Sequence, residues 1–401
     1  MVPILISFLR LKSGFFAAAL LLPGPASAAS AYIGSYTPEP TARGVNHGEG
    51  IYLADVDPAT GAPGNVRLVT KTLSPSWLAL SADNKILYAN SEVLLFGGER
   101  NGSVAAYAIA PDGTLKELNR IGSAGAGPAY ISLHPSGKFL LLANYYGGSS
   151  PKGGSFAVIR IKPDGSLGEV TDMVRPTGPR QPDTASDSVP GQLSPSNHET
   201  SRGHMIAADP SGRYVIGDDA GLDQIFVWTL DGNSGKLKQV SSTLSLPGSA
   251  PRHFVFAPDG RRMYQLQEQD SRVAVYDFAA GTLAQVGQTV SILPDGYAGS
   301  TTASELLISR DGRYLYAANR TQDSIAVLQT GVQGVKRIAN VPTQANHPRS
   351  LTIDPSGRFL YSLNQRGDNI TTFRIGDNGI PHFTGHFMPL GSPTMMLFRP
   401  E

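Results

Sequence analysis

One phrase recurs six times along this chain, and it constrains the fold more than any other feature. The copies are "SPSWLALSADNKILYANSE" (Ser74 to Glu92), "GPAYISLHPSGKFLLLANYYGG" (Gly127 to Gly148), "RGHMIAADPSGRYVIGDDAGLDQIFVW" (Arg202 to Trp228), "APRHFVFAPDGRRMYQLQE" (Ala250 to Glu268), "TASELLISRDGRYLYAANRTQDSIAV" (Thr302 to Val327) and "HPRSLTIDPSGRFLYSLNQRGDNITTF" (His347 to Phe373). Each is an alternating apolar run, a tight turn, a second apolar run and a polar knot. Alternation with a period of two marks strands whose two faces differ. Proline or aspartate opens the turn, and glycine supplies the positive φ that closes it.

A seventh copy can be assembled from the two ends. "SPTMMLF" (Ser392 to Phe398) resembles the first strand of the phrase, while "AYIGSYT" (Ala31 to Thr37) and "GIYLADVD" (Gly50 to Asp57) supply others. Joining both ends in one sheet closes a ring and removes its open edges. Seven units of roughly 50 residues match the size of propeller blades. The expected fold is all-β: a seven-bladed β-propeller over residues 29–401, closed by N- and C-terminal strands that share one blade. An open solenoid gives no reason for the two ends to complete each other.

Residues 1–28 read as an export signal. Arg10 and Lys12 precede the apolar run "GFFAAALLL", and "ASA" (Ala26 to Ala28) offers a cleavage site before Ala29. The protein is therefore expected to be exported, periplasmic or secreted. The apolar run is well short of the ~18 residues of a membrane span, so no membrane attachment is expected after cleavage. Cleavage removes two of the 33 basic residues against 32 acidic ones, leaving the rest near neutrality. Neutrality argues against nucleic acid as a partner. A small molecule is the expected partner, and the chain is expected to be a monomer. The absence of cysteine excludes disulfides, thiolate catalysis and zinc–thiolate sites. The stretch 175–201, "RPTGPRQPDTASDSVPGQLSPSNHETS", has almost no large apolar residues and reads as a surface loop.

In a propeller the first strand of each blade lines the central channel, so polar residues at equivalent repeat positions meet there. At the start of the first strand stand His204, Arg252 with His253, Glu305 and Arg349. At the end of the second stand Asn144, Asp219, Glu268, Arg320 and Gln365. Arginine forks bind carboxylate or phosphate and stabilise an oxyanion. A histidine or glutamate moves a proton near neutral pH. Such a set suits an anionic substrate with an ester carbonyl or an acidic α-proton; no metal or other cofactor is required. The glycine run "YYGGSSPKGG" (Tyr145 to Gly154) reads as a turn. Asp83, Asp112, Asp259, Asp311 and Asp354 read as turn formers. His382 and His386 do not read as a metal pair, and no G-x-S-x-G elbow is present.

The phrases "IGSYT", "GIYLADVDPATG", "GPAYISLHPSGKFLLLANYYGG", "APRHFVFAPDG" and "PRSLTIDPSGRFLYSLNQRGDNI" resemble, in order, those of the propeller lactonase family. That family includes bacterial 6-phosphogluconolactonases and fungal muconate-lactonising enzymes. The resemblance implies a catalytic quartet of His204, Arg252, Glu268 and Arg320, with His253, Glu305, Arg349, Asn144, Asp219 and Gln365 as substrate-binding candidates from the repeat positions. It implies a hydrolase that opens a sugar lactone, an anionic lactone or sugar acid being the ligand. A muconate-type cycloisomerase and a non-catalytic binding propeller are the alternatives. Two positions depart from the family pattern: Arg202 stands where a histidine is common, and Leu307 replaces another.

Overall fold

A computed structural model describes residues 1, 29–39, 45–148, 153–184 and 198–399. The expected export signal lies, apart from Met1, outside the described residues, as do 185–197 of the expected surface loop. Among the described residues, every regular element is a β-strand, and the strands form seven antiparallel sheets.

The sheets follow the sequence repeat. Blades 2 to 7 have inner strands Leu78–Leu80, Ala126–Leu133, Gly203–Ala208, Pro251–Phe256, Ala303–Ile308 and Pro348–Ile353. Their second strands are Ile86–Ser91, Phe139–Tyr146, Tyr214–Asp219, Arg262–Gln267, Tyr314–Asn319 and Phe359–Asn364. Blade 1 is built from both ends. Its inner strand, Pro393–Arg399, pairs with Ala29–Ser35, placing Phe398 opposite Ala31 and Met396 opposite Ile33. Gly50–Val56 and Pro63–Lys71 complete it. The expected ring closure is therefore present.

The core is a ring of seven apolar clusters, one at each blade interface. The closing cluster packs Ile33, Val56 and Met396 of blade 1 against Phe359, Tyr361 and Ile370 of blade 7. Period-two alternation produces this arrangement: each strand sends alternate side chains toward its two neighbouring blades. A recurrent tyrosine on the second strand also joins blades. Tyr32, Tyr88, Tyr316 and Tyr361 donate their hydroxyls to the carbonyls of Gly113, Gly165, Gly379 and Gly61, each in the next blade. The turn aspartates are spent locally, as expected. Asp354 Oδ1 accepts from Phe359 N, and Asp83 Oδ1 accepts from Ser81 Oγ and Lys85 N.

A second repeat feature was not legible in the sequence. A β-bulge recurs at the equivalent repeat position of the inner strand in blades 3, 4, 5 and 7, where the register slips past Ala129, His204, Arg252 and Arg349. In blade 6 the slip spans Ser304 and Glu305. A bulge leaves one residue out of the ladder and re-aims its side chain. Here it turns polar side chains toward one end of the channel.

The described flanks of the expected surface loop are anchored rather than loose. His198 is buried, with Nδ1 3.4 Å from Asp223 Oδ2 and Nε2 3.2 Å from Gln269 Oε1. Gln269 Nε2 in turn donates to Asp183 O at 2.5 Å. Both ends of the loop are thus tied to blades 4 and 5.

Candidate active site

The four residues of the expected quartet meet around one carboxylate. Glu268 follows directly on the second strand of blade 5, and Arg320 holds the same position in blade 6. Arg320 Nη2 donates to Glu268 Oε1 at 2.7 Å and to Ala303 O at 3.0 Å. Arg252, the bulged residue of blade 5, brings Nε to 3.0 Å from Glu268 Oε2, an ion pair without hydrogen-bond alignment. His204, the bulged residue of blade 4, has Nε2 3.8 Å from the same oxygen. Arg252 and His204 are almost fully buried, whereas the side chain of Glu268 keeps 22 % of its surface exposed and faces the mouth.

The floor of the mouth is closed. The rings of Trp77, Tyr130 and His253, from blades 2, 3 and 5, meet across the channel at centroid separations of 4.3 to 5.3 Å. They occupy equivalent positions of the sequence repeat; Tyr130 and His253 each stand one residue beyond the bulge of their strand, and Trp77 immediately precedes the inner strand of blade 2. The quartet borders this layer, the ring of His204 standing 5.2 Å from that of His253.

His253 and Glu305, expected to touch substrate, lie in this buried layer beneath Arg252. His253 Nδ1 is 2.8 Å from Glu305 Oε1, and Ser350 Oγ donates to Glu305 Oε2 at 3.0 Å. The carboxylate selects the Nδ1–H tautomer, leaving Nε2 to accept from Arg252 Nη1 at 3.2 Å. Both residues are committed to holding Arg252 in place.

Asn144 and Asp219 do not reach the cluster. They stand on the second strand one position before the register of Glu268 and Arg320, and a one-residue slip points a side chain to the opposite face. Asn144 Nδ2 donates to Ser123 O and Ser155 Oγ, and Asn319 makes the same pair of bonds in blade 6. Asp219 Oδ1 accepts from three backbone N–H groups, of Arg202, Gly221 and Leu222. Gln365 shares the register of Glu268, is half-buried, and has Nε2 3.5 Å from Asn46 Oδ1.

Two residues unremarked in the sequence complete the far side of the mouth. Arg349 Nη2 donates to the Tyr36 hydroxyl at 2.7 Å, and that hydroxyl donates to Glu92 Oε2 at 2.7 Å. Tyr36 and Glu92 occupy the Glu268 register in blades 1 and 2, which is the signal that could have found them. A recurrent aspartate between the second and third strands also supports the site. Asp223 accepts from Gly248 N and Ala250 N, and Asp323 accepts from His347 N. These bonds fix Ala250 and His347 at φ 55° and 64°, one residue before the prolines that start the strands of Arg252 and Arg349.

Charge follows geometry. Burial pushes His204 well below the ordinary imidazole range, and Arg252, His253, Arg349 and Arg320 push it further; it is neutral. Burial also lowers His253, to about 4, despite Glu305 beside it. Burial alone would raise Glu268, but Arg320, Arg252 and Arg349 outweigh it and hold the carboxyl below its ordinary value. Burial and Arg349 depress Arg252 to about 9, so it remains a cation at neutral pH. The mouth thus presents guanidinium groups, one carboxylate between two of them, and a neutral imidazole.

The description of the "Lactonase, 7-bladed beta-propeller" family matches residues 30–398. The chain belongs to this family. Among relatives of this propeller lactonase, a protein of Bacillus subtilis (strain 168) named 6-phosphogluconolactonase is 28% identical over 328 residues, covering 80% of this chain and 84% of the relative. One of the same name from Formosa agariphila is 31% identical over 333 residues, covering 80% and 86%. The solved structure of the periplasmic gluconolactonase of Pseudomonas aeruginosa is similar with a TM-score of 0.80 at 27% identity, covering 93% of this chain and 99% of that one.

Proposed function

We propose that this propeller lactonase hydrolyses a sugar lactone, with Arg252 and Arg320 as the carbonyl-activating pair and His204 as the base. The observation that carries this reading is the convergence of two guanidinium groups and a neutral imidazole on Glu268. The relatives named as gluconolactonases and 6-phosphogluconolactonases support the substrate class.

Water attacks the lactone carbonyl, and its proton passes to His204. Negative charge develops on the carbonyl oxygen, where Arg252 and Arg320 stabilise it. The ring C–O bond then breaks, and the departing ring oxygen takes the proton back from His204. The product is a hydroxy acid, which releases one proton at neutral pH. His204 is the better base of the two candidates because Glu268 has both oxygens held by guanidinium groups. Its low basicity is set by burial and by those same cations. An anionic substrate resting on the arginines offsets their charge and raises the imidazole toward working range.

Acid release by a panel of lactones, followed in a pH-stat, tests this. Arg252→Ala and Arg320→Ala should each lower kcat/KM by about 10²–10³-fold. Full activity in both variants, or consumption of a muconate without acid release, would sink the assignment. We further propose that residues 1–28 direct export, a reading supported by their sequence pattern; the N-terminal residue of the secreted protein should be Ala29.

A further inference from the structure

The position of Glu268 recurs once in every blade, at or just after the end of the second strand, and so returns seven times around the mouth. Two of these positions hold carboxylates: Glu268 in blade 5 and Glu92 in blade 2, across the ring. Their surroundings differ. Both oxygens of Glu268 are held by guanidinium groups. Glu92 is held by one oxygen alone: Oε2 accepts from the Tyr36 hydroxyl at 2.7 Å and lies 3.5 Å from Arg349 Nη2. None of the described residues donates to its Oε1, and 22 % of the side chain is exposed. We infer that Glu92 is a specificity-determining residue, whose Oε1 accepts hydrogen bonds from the ring hydroxyls of the lactone. The inference rests on the lactonase reading above and adds what selects a polyhydroxylated lactone over a bare one.

Three observations support it. First, the carboxylate is aimed before a ligand arrives. The Tyr36 hydroxyl accepts from Arg349 Nη2 at 2.7 Å, which leaves its own proton for Glu92, and Glu92 N donates to Ser74 O at 3.0 Å. An acceptor already fixed through one oxygen loses little freedom when the other takes up a donor. Second, the charges of the mouth select a neutral donor. Three guanidinium groups, of Arg252, Arg320 and Arg349, stand against two carboxylates, so a cationic ligand is disfavoured. An anionic group at Oε1 would meet like charge. A hydroxyl meets neither obstacle, and its bond to an ionised acceptor is stronger than one between neutral groups. Third, the position suits the substrate. With the carbonyl on Arg252 and Arg320 of blades 5 and 6, the remainder of the ring extends across the mouth toward blades 1 and 2, which carry Tyr36 and Glu92.

The test pairs glucono-δ-lactone with δ-valerolactone, which has the same ring and no hydroxyls. Acid release gives kcat/KM for each. Comparing their ratio between wild type and variants cancels the difference in intrinsic reactivity. Glu92→Ala should lower the hydroxylated-to-bare ratio by about 10–10²-fold. Glu92→Gln, which keeps the shape and an acceptor oxygen but loses the charge, should lower it less. Tyr36→Phe, which removes the hydroxyl that aims the carboxylate, should also lower it less than Glu92→Ala. A ratio unchanged in folded Glu92→Ala and Glu92→Gln overturns the inference and leaves the hydrolytic reading intact. Equal losses on both lactones do the same, since Glu92 would then act only as a support for Arg349. If the wild-type protein opens neither lactone, the hydrolytic reading fails. Calorimetry with glucono-δ-lactam and δ-valerolactam then decides the role of Glu92 separately. Tighter binding of the hydroxylated lactam, lost in Glu92→Ala, supports it; equal binding of the two lactams, or binding of neither, overturns it.

Discussion

Glu268→Gln isolates the role of the central carboxylate, because it keeps the side-chain shape and removes the charge. The carboxylate lies 2.7 Å from Arg320 and 3.0 Å from Arg252. Removing one partner of a buried ion pair costs about 3–5 kcal/mol, since the other charge is left uncompensated. Glu268 keeps 22 % of its side chain exposed, so solvent screening reduces the expected loss to about 2–3 kcal/mol. The loss should appear as a lower midpoint of urea unfolding at neutral pH and constant ionic strength. A bound anion can take the place of the missing carboxylate, so added gluconate or phosphate should stabilise the variant more than the wild type. Catalysis should fall as well, by about 10²-fold, because the imidazolium formed at His204 loses the carboxylate 3.8 Å away. A variant as stable and as active as the wild type, with no extra gain from added anion, refutes the counter-ion argument.

Three further outcomes are expected. His253 gains its proton near 6.5 when unfolded but near 4 when folded, so its contribution is complete above pH 6.5 and is lost as pH falls toward 4; Glu305, also held low, acts in the same direction. Unfolding midpoints across this window should fall more steeply for the wild type than for His253→Gln, and parallel curves would count against it. Asp218 is fully buried between blades 4 and 5, and burial raises its carboxyl well above the ordinary range; ionisation therefore erodes wild-type stability as pH rises from about 3.9. Asp218→Asn should remove that slope and be the more stable protein at neutral pH, and a less stable variant would contradict the reasoning. Met396→Ala, in the ring-closing cluster, should cost about 2–5 kcal/mol, whereas Leu73→Ala, at a side chain 54% exposed, should cost little; equal effects would argue against closure as a source of stability.

The propeller was legible because the repeat prints each blade as the same alternation and turn, and because the C-terminal "SPTMMLF" resembles an inner strand. The candidate set was legible because equivalent positions in neighbouring blades must approach each other around a ring, and the family resemblance singled out the quartet within it. What failed was register at single-residue resolution. Asn144 and Asp219 sit beside the productive position in sequence, but alternation turns them into the sheet. Tyr36 and Glu92 were overlooked although they hold the Glu268 register: blade 1 carries a tyrosine there, and the glutamate of blade 2 reads only as the end of its repeat phrase. The bulges that aim His204, Arg252 and Arg349 leave no mark in composition, since the extra residue is defined only against the neighbouring strand. The depth of His253 and Glu305 was hidden for a related reason: His253 stands one residue beyond the bulge of blade 5 and Glu305 within the slip of blade 6, which places both in the buried layer beneath Arg252.

The most direct measurement is a crystal structure of the protein soaked with the hydroxy acid released from a lactone it opens. The account predicts the product carboxylate on Arg252 and Arg320, within hydrogen-bond reach of His204, above the Trp77–Tyr130–His253 floor. A product bound outside this mouth, with the quartet untouched, would contradict it.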